Sequence, residues 1–266
     1  MYITEKSLKI INCITVIIVS IIALILILSE LDRCRCRNLR PDLKMYYGSS
    51  GWITGPFNTI VACSVRDCND LFPFPDIKSN FPEHIMLKDQ WENIRDEVLN
   101  LYSEGGMGKI KGDLFFRKIA DDNWKKFYIK WYDDCVDDAY EKLPFTTKLI
   151  DQIPQIQCAM ISVLEPGAVI TPHVGPYRTS LRYHLGLLTP QDDKCRIMVD
   201  DIKYSWRDGE DVLFDDTFVH EVRNDTDKIR IILFCDVKRI LKPGIGKSIS
   251  DWTCKVAKIT GKNRKN

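Results

Sequence analysis

The 266-residue sequence lacks a strong excess of charge of either sign. Its 38 Lys and Arg residues balance 37 Asp and Glu residues, which leaves a formal net charge of +1. Proteins that bind a polyanion through their overall charge carry a clear basic excess. The composition therefore gives no reason to expect a nucleic-acid partner.

Cysteines paired as C-x-x-C are also missing. The ten cysteines are scattered along the chain, so their spacing does not predict a zinc site. Cys63 and Cys68 are close enough for a local disulfide in an oxidising compartment, but two separate thiols fit the same spacing. The cysteines therefore leave the compartment open.

Charge is absent from one long stretch near the N-terminus. The segment Ile10–Leu28 consists mainly of Ile, Val and Leu and contains no charged residue. As a helix it would be about 28 Å long, close to the ~30 Å hydrocarbon core of a bilayer. A cleaved signal peptide would have a shorter apolar region and end in small residues. We therefore predict a single-pass membrane anchor within residues 1–30.

Basic residues flank this segment on both sides. Lys6 and Lys9 precede it, and four arginines follow it: Arg33, Arg35, Arg37 and Arg40. Counting positive residues places the C-terminal side in the cytosol. A lumenal catalytic domain, as in many anchored hydroxylases, would contradict that count, so the orientation stays open. Residues 31–48 are interpreted as a basic juxtamembrane linker.

The remaining chain is interpreted as one domain, residues 49–243, followed by an exposed basic tail, residues 244–266. Residues 49–83 are rich in Gly, Pro, Asn and Asp, which predicts loops and short strands. Apolar residues at helical spacing predict a helix at Met86–Ser103. Further predicted elements are strands at Leu114–Phe116 and Trp124–Tyr132, the second with one wet lysine face, and a helix at Thr146–Gln152.

Short strand-like runs separated by turns fill the motif core, residues 159–240. This pattern favours a sandwich or barrel. The predicted strands are Ala159–Leu164, Ser180–Leu188, Cys195–Val199, Ile202–Trp206, Val212–Phe214 and Ile229–Val237.

The strand Ser180–Leu188 combines an apolar face with a cationic one. At a period of two residues, Arg182 and His184 point to the same side. A buried arginine without a partner is costly, and the guanidinium fork suits a carboxylate. We therefore expect an anion beside Arg182, and by the same reasoning beside Arg230.

Only four histidines occur in the chain, and His173, His184 and His220 lie within residues 162–230. Two histidines and one carboxylate commonly hold non-haem iron(II). The carboxylate usually lies two residues after the first histidine, but that position is Gly175. Either water or an aspartate, Asp215 or Asp216, would then complete the site. Spacing alone favours an ordinary core histidine over a metal ligand at each position.

The segment from about Ile161 to Val237 resembles the aspartyl/asparaginyl β-hydroxylase family of iron(II)- and 2-oxoglutarate-dependent dioxygenases. The amino-acid sequences of its motifs are especially similar to those of the lipid A hydroxylase branch of this family. The motifs are Pro166-Gly167, Pro172-His173-x-Gly175-Pro176, Leu181-Arg182-x-His184-Leu185-Gly186, Trp206-x-x-Gly209, Phe214-Asp215-Asp216-x-Phe218-x-His220-Glu221, Arg230 and Asp236-Val237.

This resemblance implies a mainly β protein with a double-stranded β-helix of the jelly-roll or cupin type and flanking helices. It implies His173 and His220 as ligands of Fe(II), with Gly175 matching a glycine of the family's protein hydroxylases. It also implies that 2-oxoglutarate, the co-substrate used with dioxygen, binds a set of four residues: Ser162, Arg182, His184 and Arg230.

Two substrate classes fit the resemblance. One is an aspartyl or asparaginyl side chain of a protein, and the other is the acyl chain of a lipid, which an anchored enzyme would meet at the bilayer. The alternative is a catalytically silent, membrane-anchored jelly-roll protein that serves as a binding or surface protein. Loss of a metal or oxoacid residue would be its sign.

Overall fold

The computed structural model describes residues 5–35, 51–109, 123–132, 134–136 and 138–260. Its helices are α1 (Glu5–Arg35), α2 (Gly51–Ala62), α3 (Ile77–Asn80), α4 (His84–Lys88), α5 (Trp91–Ser103), α6 (Ala139–Lys142), α7 (Pro144–Asp151) and α8 (Ile245–Thr260), with a 3-10 turn at Cys68–Leu71. Its strands are β1 (Gly108–Lys109), β2 (Trp124–Trp131), β3 (Asp134–Cys135), β4 (Ile156–Leu164), β5 (Val169–His173), β6 (Ser180–Leu188), β7 (Cys195–Val199), β8 (Ile202–Ser205), β9 (Asp211–Phe214), β10 (His220–Asn224) and β11 (Arg230–Lys238).

Two antiparallel sheets build the domain. The seven-stranded sheet runs β1-β2-β4-β11-β6-β9 with β3 added beside β2, and the four-stranded sheet runs β5-β10-β7-β8. Apolar residues of both sheets meet in one core, which includes Ile161 and Leu233 from the larger sheet and Ile197 and Val222 from the smaller. The architecture is the predicted double-stranded β-helix with flanking helices.

The central strands follow the sequence pattern closely. Strands β6 and β7 have the predicted bounds, and β4, β8, β9 and β11 differ from them by one to three residues. Strand β4 is buried at every position, as expected for a strand covered on both faces. In contrast, β10 was not among the predicted strands.

The predicted helix at Met86–Ser103 is divided into α4 and α5. The break lies at Asp89 and Gln90, where Gln90 leaves the helical conformation and precedes the first residue of α5. On α5, the buried residues Ile94, Val98 and Leu101 form one stripe that packs into the core, as expected for a helix outside a sheet.

The expectation of a wet lysine face on β2 is wrong. Lys126 and Lys130 are only 6% and 5% exposed. The Lys126 ammonium lies 4.2 Å from the centre of the Tyr128 ring, which compensates part of the cost of burying the charge. The alternation of lysines with aromatic residues is real, but both faces of this strand are covered.

Two further expectations are corrected at the ends of the domain. Residues 51–62 form the helix α2, although Gly and Pro predicted loops and strands there. The exposed tail predicted after residue 243 is instead α8, in which the small residues Gly246, Ser250 and Thr253 are buried. The predicted strand Leu114–Phe116, most of the linker and residues 261–266 lie outside the described residues.

Helix α1 contains the apolar segment Ile10–Leu28 and continues to Arg35. It is long and apolar enough to cross a membrane. Every residue from Asn12 to Ile27 is exposed, whereas Ser29, Asp32 and Arg33 are buried against the domain. The helix therefore has a bare apolar part and a docked end.

Candidate active site

Two histidines on neighbouring strands of the four-stranded sheet face each other. His173 ends β5, His220 begins β10, and the two are direct partners in the strand register. Their ring centroids lie 4.1 Å apart. The sheet thus brings together the two residues predicted to hold a metal.

Backbone carbonyls set the tautomer of both rings. The Nδ1 atom of His173 lies 2.7 Å from the Thr171 carbonyl oxygen, and that of His220 lies 2.9 Å from the Phe218 carbonyl oxygen. An Nδ1–H that donates to a carbonyl leaves the lone pair on Nε2. Burial lowers the pKa of His220 to about 4 and holds the pKa of His173 well below its usual value. Neutral imidazoles of this kind are the form that binds a transition metal.

Gly175 is required beside the histidine pair because an aspartate occupies its side-chain space. A Cβ atom at position 175 would collide with the Asp216 carboxylate. Asp216 therefore stands where a side chain two residues after His173 would lie. Asp215, in contrast, belongs to a turn and accepts a hydrogen bond from the Thr217 amide at 2.9 Å. No group of three or more metal-binding side chains was found among the described residues.

Arg230 is a buried cation that pairs with no carboxylate in the described part of the chain. Its Nη2 donates to the Ser162 hydroxyl at 3.0 Å, and its guanidinium lies 4.6 Å from the Trp206 ring centre. Its Nε has no hydrogen-bond partner among the described residues. Burial lowers the pKa of Arg230 to about 10. Such a site fits a carboxylate supplied by a ligand.

His184 is the second polar group left unsatisfied in this region. Neither of its ring nitrogens has a hydrogen-bond partner within the described residues, although the side chain is buried. Its ring centre lies 5.0 Å from that of Phe214 and 5.1 Å from that of Phe234. Because buried polar groups are normally hydrogen-bonded, His184 also fits a ligand from outside the chain.

Arg182 differs from Arg230 because the chain itself supplies its anions. It forms an ion pair with Asp216 at 2.8 Å and donates a hydrogen bond to Asp236 at 2.9 Å. Burial raises the pKa of both carboxyl groups, and the charge of Arg182 opposes this effect. Sequence reasoning assigned no role to Asp236, although the register places it directly opposite Arg182.

All six residues predicted for iron and 2-oxoglutarate border one small cavity of about 30 Å³. They are Ser162, His173, Arg182, His184, His220 and Arg230. The histidine pair comes from the small sheet and the other four come from the large sheet, so the cavity lies between the two sheets.

A second, wider cleft of about 260 Å³ adjoins the first and shares three of its residues, His173, Arg182 and Phe234. Its walls are mainly aromatic and aliphatic, and they extend to α8 at one side. These apolar lining residues are Tyr128, Trp131, Tyr132, Met160, Val174, Val256 and Ala257. No local sequence pattern predicts this cleft, because its walls come from distant segments.

The fold and the site define a double-stranded β-helix protein with a histidine pair suited to a metal and a buried arginine suited to a carboxylate. The sequence profile of the family described as Aspartyl/Asparaginyl beta-hydroxylase matches residues 88–240. The chain belongs to the aspartyl/asparaginyl β-hydroxylase family.

Proteins of two kinds are similar in sequence to this chain. The ornithine lipid ester-linked acyl 2-hydroxylase of Rhizobium tropici is 38% identical over 124 residues, which cover 46% of this chain and 44% of the relative. The human aspartyl/asparaginyl beta-hydroxylase is 33% identical over 161 residues, which cover 57% of this chain and 20% of the relative. The chain thus matches less than half the length of either relative.

Solved structures with a similar outline include two prolyl hydroxylases. The enzyme from Trichoplax adhaerens, in complex with a hypoxia inducible factor peptide, has a TM-score of 0.43 and 13% identity over 61% of this chain and 81% of its own. The Pseudomonas putida prolyl-4-hydroxylase has a TM-score of 0.40 and 16% identity over 57% of this chain and 87% of its own.

Proposed function

We propose that this chain is an iron(II)- and 2-oxoglutarate-dependent dioxygenase that hydroxylates its substrate. The observation that carries the proposal is a pair of neutral histidines, His173 and His220, in one cavity with the uncompensated cation Arg230. Iron with bound 2-oxoglutarate would provide partners for both the histidine pair and Arg230. A 2-oxo acid group is a metal ligand, and the second carboxylate of the same molecule is a partner for a guanidinium.

In this proposal His173 and His220 hold the iron, and the carbonyls of Thr171 and Phe218 orient their rings. Bound iron, together with 2-oxoglutarate and dioxygen, supplies the oxidising chemistry that converts a substrate C–H bond into C–OH. Gly175 leaves the third position on the metal to a water molecule or to Asp216, whose carboxylate Arg182 holds in place.

The large sheet provides the co-substrate residues. Arg230 and Ser162 bind the far carboxylate of 2-oxoglutarate, and the unsatisfied nitrogens of His184 face the same ligand. We assign Arg182 to the border between the co-substrate and the substrate, because it lines both cavities. The aromatic rings around His184 and Arg230 exclude water from this part of the site.

The proposed substrate is the acyl chain of a membrane lipid. The wide cleft beside His173 has mainly apolar walls, and the charged side chains among its lining residues, Arg182, Asp216 and Asp236, are paired with one another. Such a cleft suits a hydrocarbon chain. The bacterial relative named as an acyl hydroxylase and the apolar helix α1 support the same choice.

An aspartyl or asparaginyl side chain of a protein is the second candidate substrate. Arg182 reaches the wide cleft and could exchange one of its aspartates for a substrate carboxylate. The relatives named aspartyl/asparaginyl beta-hydroxylase support this option. A silent binding protein is the less favoured alternative, because all six residues expected of the enzyme are present.

We further propose that α1 anchors the enzyme in a membrane as a single-pass helix. No described residue of the domain covers the exposed apolar surface of α1 from Asn12 to Ile27. The hydrocarbon core of a bilayer would cover this surface. The dioxygenase domain begins near residue 49, and the packing of α8 against α2 extends it beyond residue 243.

The substrate is tested by mass spectrometry of products from the full chain in lipid nanodiscs. Membrane lipids and candidate peptides are offered to the same preparation, and 2-oxoglutarate is omitted in the control. We expect lipids, and not peptides, to gain the mass of one oxygen atom when 2-oxoglutarate is present. Hydroxylated peptides without hydroxylated lipids would favour the second substrate class instead.

A further inference from the structure

The docked end of α1 contacts both loops that carry the histidine pair. One loop, residues 174–179, follows His173, and the other, residues 215–219, precedes His220. These contacts join residues more than a hundred positions apart in the sequence. A membrane anchor that served only as a tether would not need them.

The first loop is held by a buried ion pair. Arg178 Nη2 donates to Asp32 of α1 at 2.9 Å, and the two side chains are 2% and 3% exposed. Asp32 is the only carboxylate that pairs with Arg178 among the described residues. Asn58 of α2 accepts a hydrogen bond from the Arg178 amide at 2.9 Å and donates to the Pro176 carbonyl at 3.2 Å. The path of the loop after His173 therefore depends on α1 and α2 together.

The second loop is held by Arg35, near the end of α1. Its Nη2 donates to the Thr217 carbonyl at 3.0 Å and to the Thr217 hydroxyl at 2.9 Å. Its guanidinium also lies 4.4 Å from the centre of the Phe218 ring. Phe218 supplies the carbonyl that orients His220. Arg35 thus contacts the residue whose carbonyl sets the tautomer of His220, a proposed iron ligand.

A third arginine ties the two loops together inside the domain. Arg239 donates to the Arg178 carbonyl at 2.8 Å and to the Asp215 carboxylate at 2.8 Å. This contact is independent of α1, so the loops keep one link without the anchor. The guanidinium of Arg178 would nevertheless lose Asp32, and breaking a buried pair by removing one partner strongly disfavours the original arrangement.

We propose that the C-terminal end of α1 is a positioning element of the active site. Asp32 and Arg35 fix the loops on either side of the histidine pair, so the metal site reaches its full affinity only when the anchor helix is docked. The inference rests on the proposed function for its catalytic meaning. The ordering of the loops, however, can be measured without metal.

The test uses the full chain in nanodiscs with four variants: Asp32→Asn, Arg178→Gln, the double variant of these two, and Arg35→Gln. Glu30→Gln is the matched control, because Glu30 lies on the same helix end, is exposed and contacts neither loop in the described structure. Amide hydrogen exchange of the metal-free protein is the first measurement. Anaerobic Fe(II) binding in the presence of 2-oxoglutarate is the second.

We expect Asp32→Asn to speed exchange at residues 174–179 and to weaken Fe(II) binding by about 10-fold, in the range seen when groups that orient metal ligands are lost. Arg35→Gln should speed exchange at residues 215–219. Asp32 also pairs with Arg35 at 3.4 Å, so Asp32→Asn should have a larger effect than Arg178→Gln. Because Arg178 has already lost Asp32 in the Asp32→Asn variant, the double variant should lose about as much as Asp32→Asn alone. Glu30→Gln should match the wild type.

The two proposals fail in different ways. A wild-type protein that binds no Fe(II) would contradict the proposed function, whereas hydrogen exchange would still test the positioning role. If Asp32→Asn unfolds the whole domain, Arg35→Gln decides the question, because it leaves the buried pair between Asp32 and Arg178 in place and removes the contacts of Arg35 with Thr217, Phe218 and Asp32. Unchanged exchange at residues 215–219 and unchanged Fe(II) affinity in Arg35→Gln would overturn the inference.

Discussion

At the scale of single residues, Arg230 and Arg182 show how similar sequence surroundings lead to different roles. Both lie in apolar strands, and both were expected to need an anion. Arg182 obtains two carboxylates from the chain, whereas Arg230 obtains only the Ser162 hydroxyl and an aromatic ring. The sequence could predict the need for an anion, but the aspartates on Arg182 are 34 and 54 residues away, beyond any local pattern.

An uncompensated cation predicts opposite effects on stability and on binding. Replacing Arg230 with Met should raise the free energy of unfolding of the ligand-free protein by about 1 kcal/mol or more, because a costly buried charge disappears. The same change should weaken 2-oxoglutarate binding by about 30-fold or more, since a charged hydrogen-bonded pair is lost. Thermal melting and titration calorimetry measure the two effects.

Arg196→Met is the matched control for this change, because Arg196 pairs with Asp225 at the surface. It should alter neither 2-oxoglutarate binding nor stability by a comparable amount. An Arg230→Met variant that binds 2-oxoglutarate like the wild type would refute the role proposed for Arg230.

Gly175 gives a second prediction at this scale. In Gly175→Ala the new methyl group competes with the Asp216 carboxylate for one space, so we expect a loss of about 1–3 kcal/mol in unfolding free energy, typical of overpacking. Combining it with Asp216→Ala removes the competing carboxylate. Chemical denaturation should therefore show less than additive losses in the double variant, and strictly additive losses would count against this explanation.

At the scale of elements, the predictable parts are those whose pattern is complete within a few residues. Strand β6 alternates through nine residues between tight turns, and its bounds were predicted correctly. Strands β5 and β10 have five residues each, and Pro172 interrupts the strand signal of β5. Because β5 is at the edge of the small sheet, it tolerates this proline. The strands that carry the histidine pair were therefore the hardest to find.

The helices show the same limit. Helix α5 was predicted because its apolar stripe is regular, whereas α2 contains Gly55 and Pro56, and α8 contains four lysine or glycine positions between its apolar residues. Contacts with the rest of the fold, and not a local sequence pattern, stabilise α2 and α8 as helices. Gly246 fits against Ser64 so closely that a side chain there would collide with it. Sequence patterns carry no record of such a contact.

Helix α5 provides a prediction about elements. Ile94 is fully buried in the core, so Ile94→Ala should cost about 2–5 kcal/mol of unfolding free energy through lost burial and a cavity. The exposed neighbour Asn93 is the control, and Asn93→Ala should change stability by about 0.5 kcal/mol or less. Denaturant unfolding of both variants measures the difference. Equal, small effects would show that α5 does not support the sheet as described.

At the scale of the whole molecule, helix α1 and the double-stranded β-helix domain form one unit. The bare surface of α1 ends where Thr59 of α2 donates to the Leu28 carbonyl at 2.7 Å, and the buried residues of the docked end begin directly after it. In the proposed arrangement the active site is held at a fixed height above the membrane surface. That placement suits a substrate that is part of the membrane.

Orientation in the membrane is predicted from charge. The four arginines after the span outnumber the two lysines before it, which favours a cytosolic domain. A C-terminal tag should therefore be digested by protease added to the cytosolic face. Protection of the tag there, with digestion from the opposite face, would reverse the assignment.

The central claim is that His173 and His220 hold iron beside 2-oxoglutarate. Its most direct test is an anaerobic titration of the full chain with Fe(II) and 2-oxoglutarate, followed by the visible charge-transfer absorbance of the bound pair. We predict this band in the wild type, its loss in His173→Ala and in His220→Ala, and its retention in His84→Ala, where a histidine bound to Asp211 outside the cavity is changed. No band in the folded wild type, or an unchanged band in both site variants, would contradict the claim.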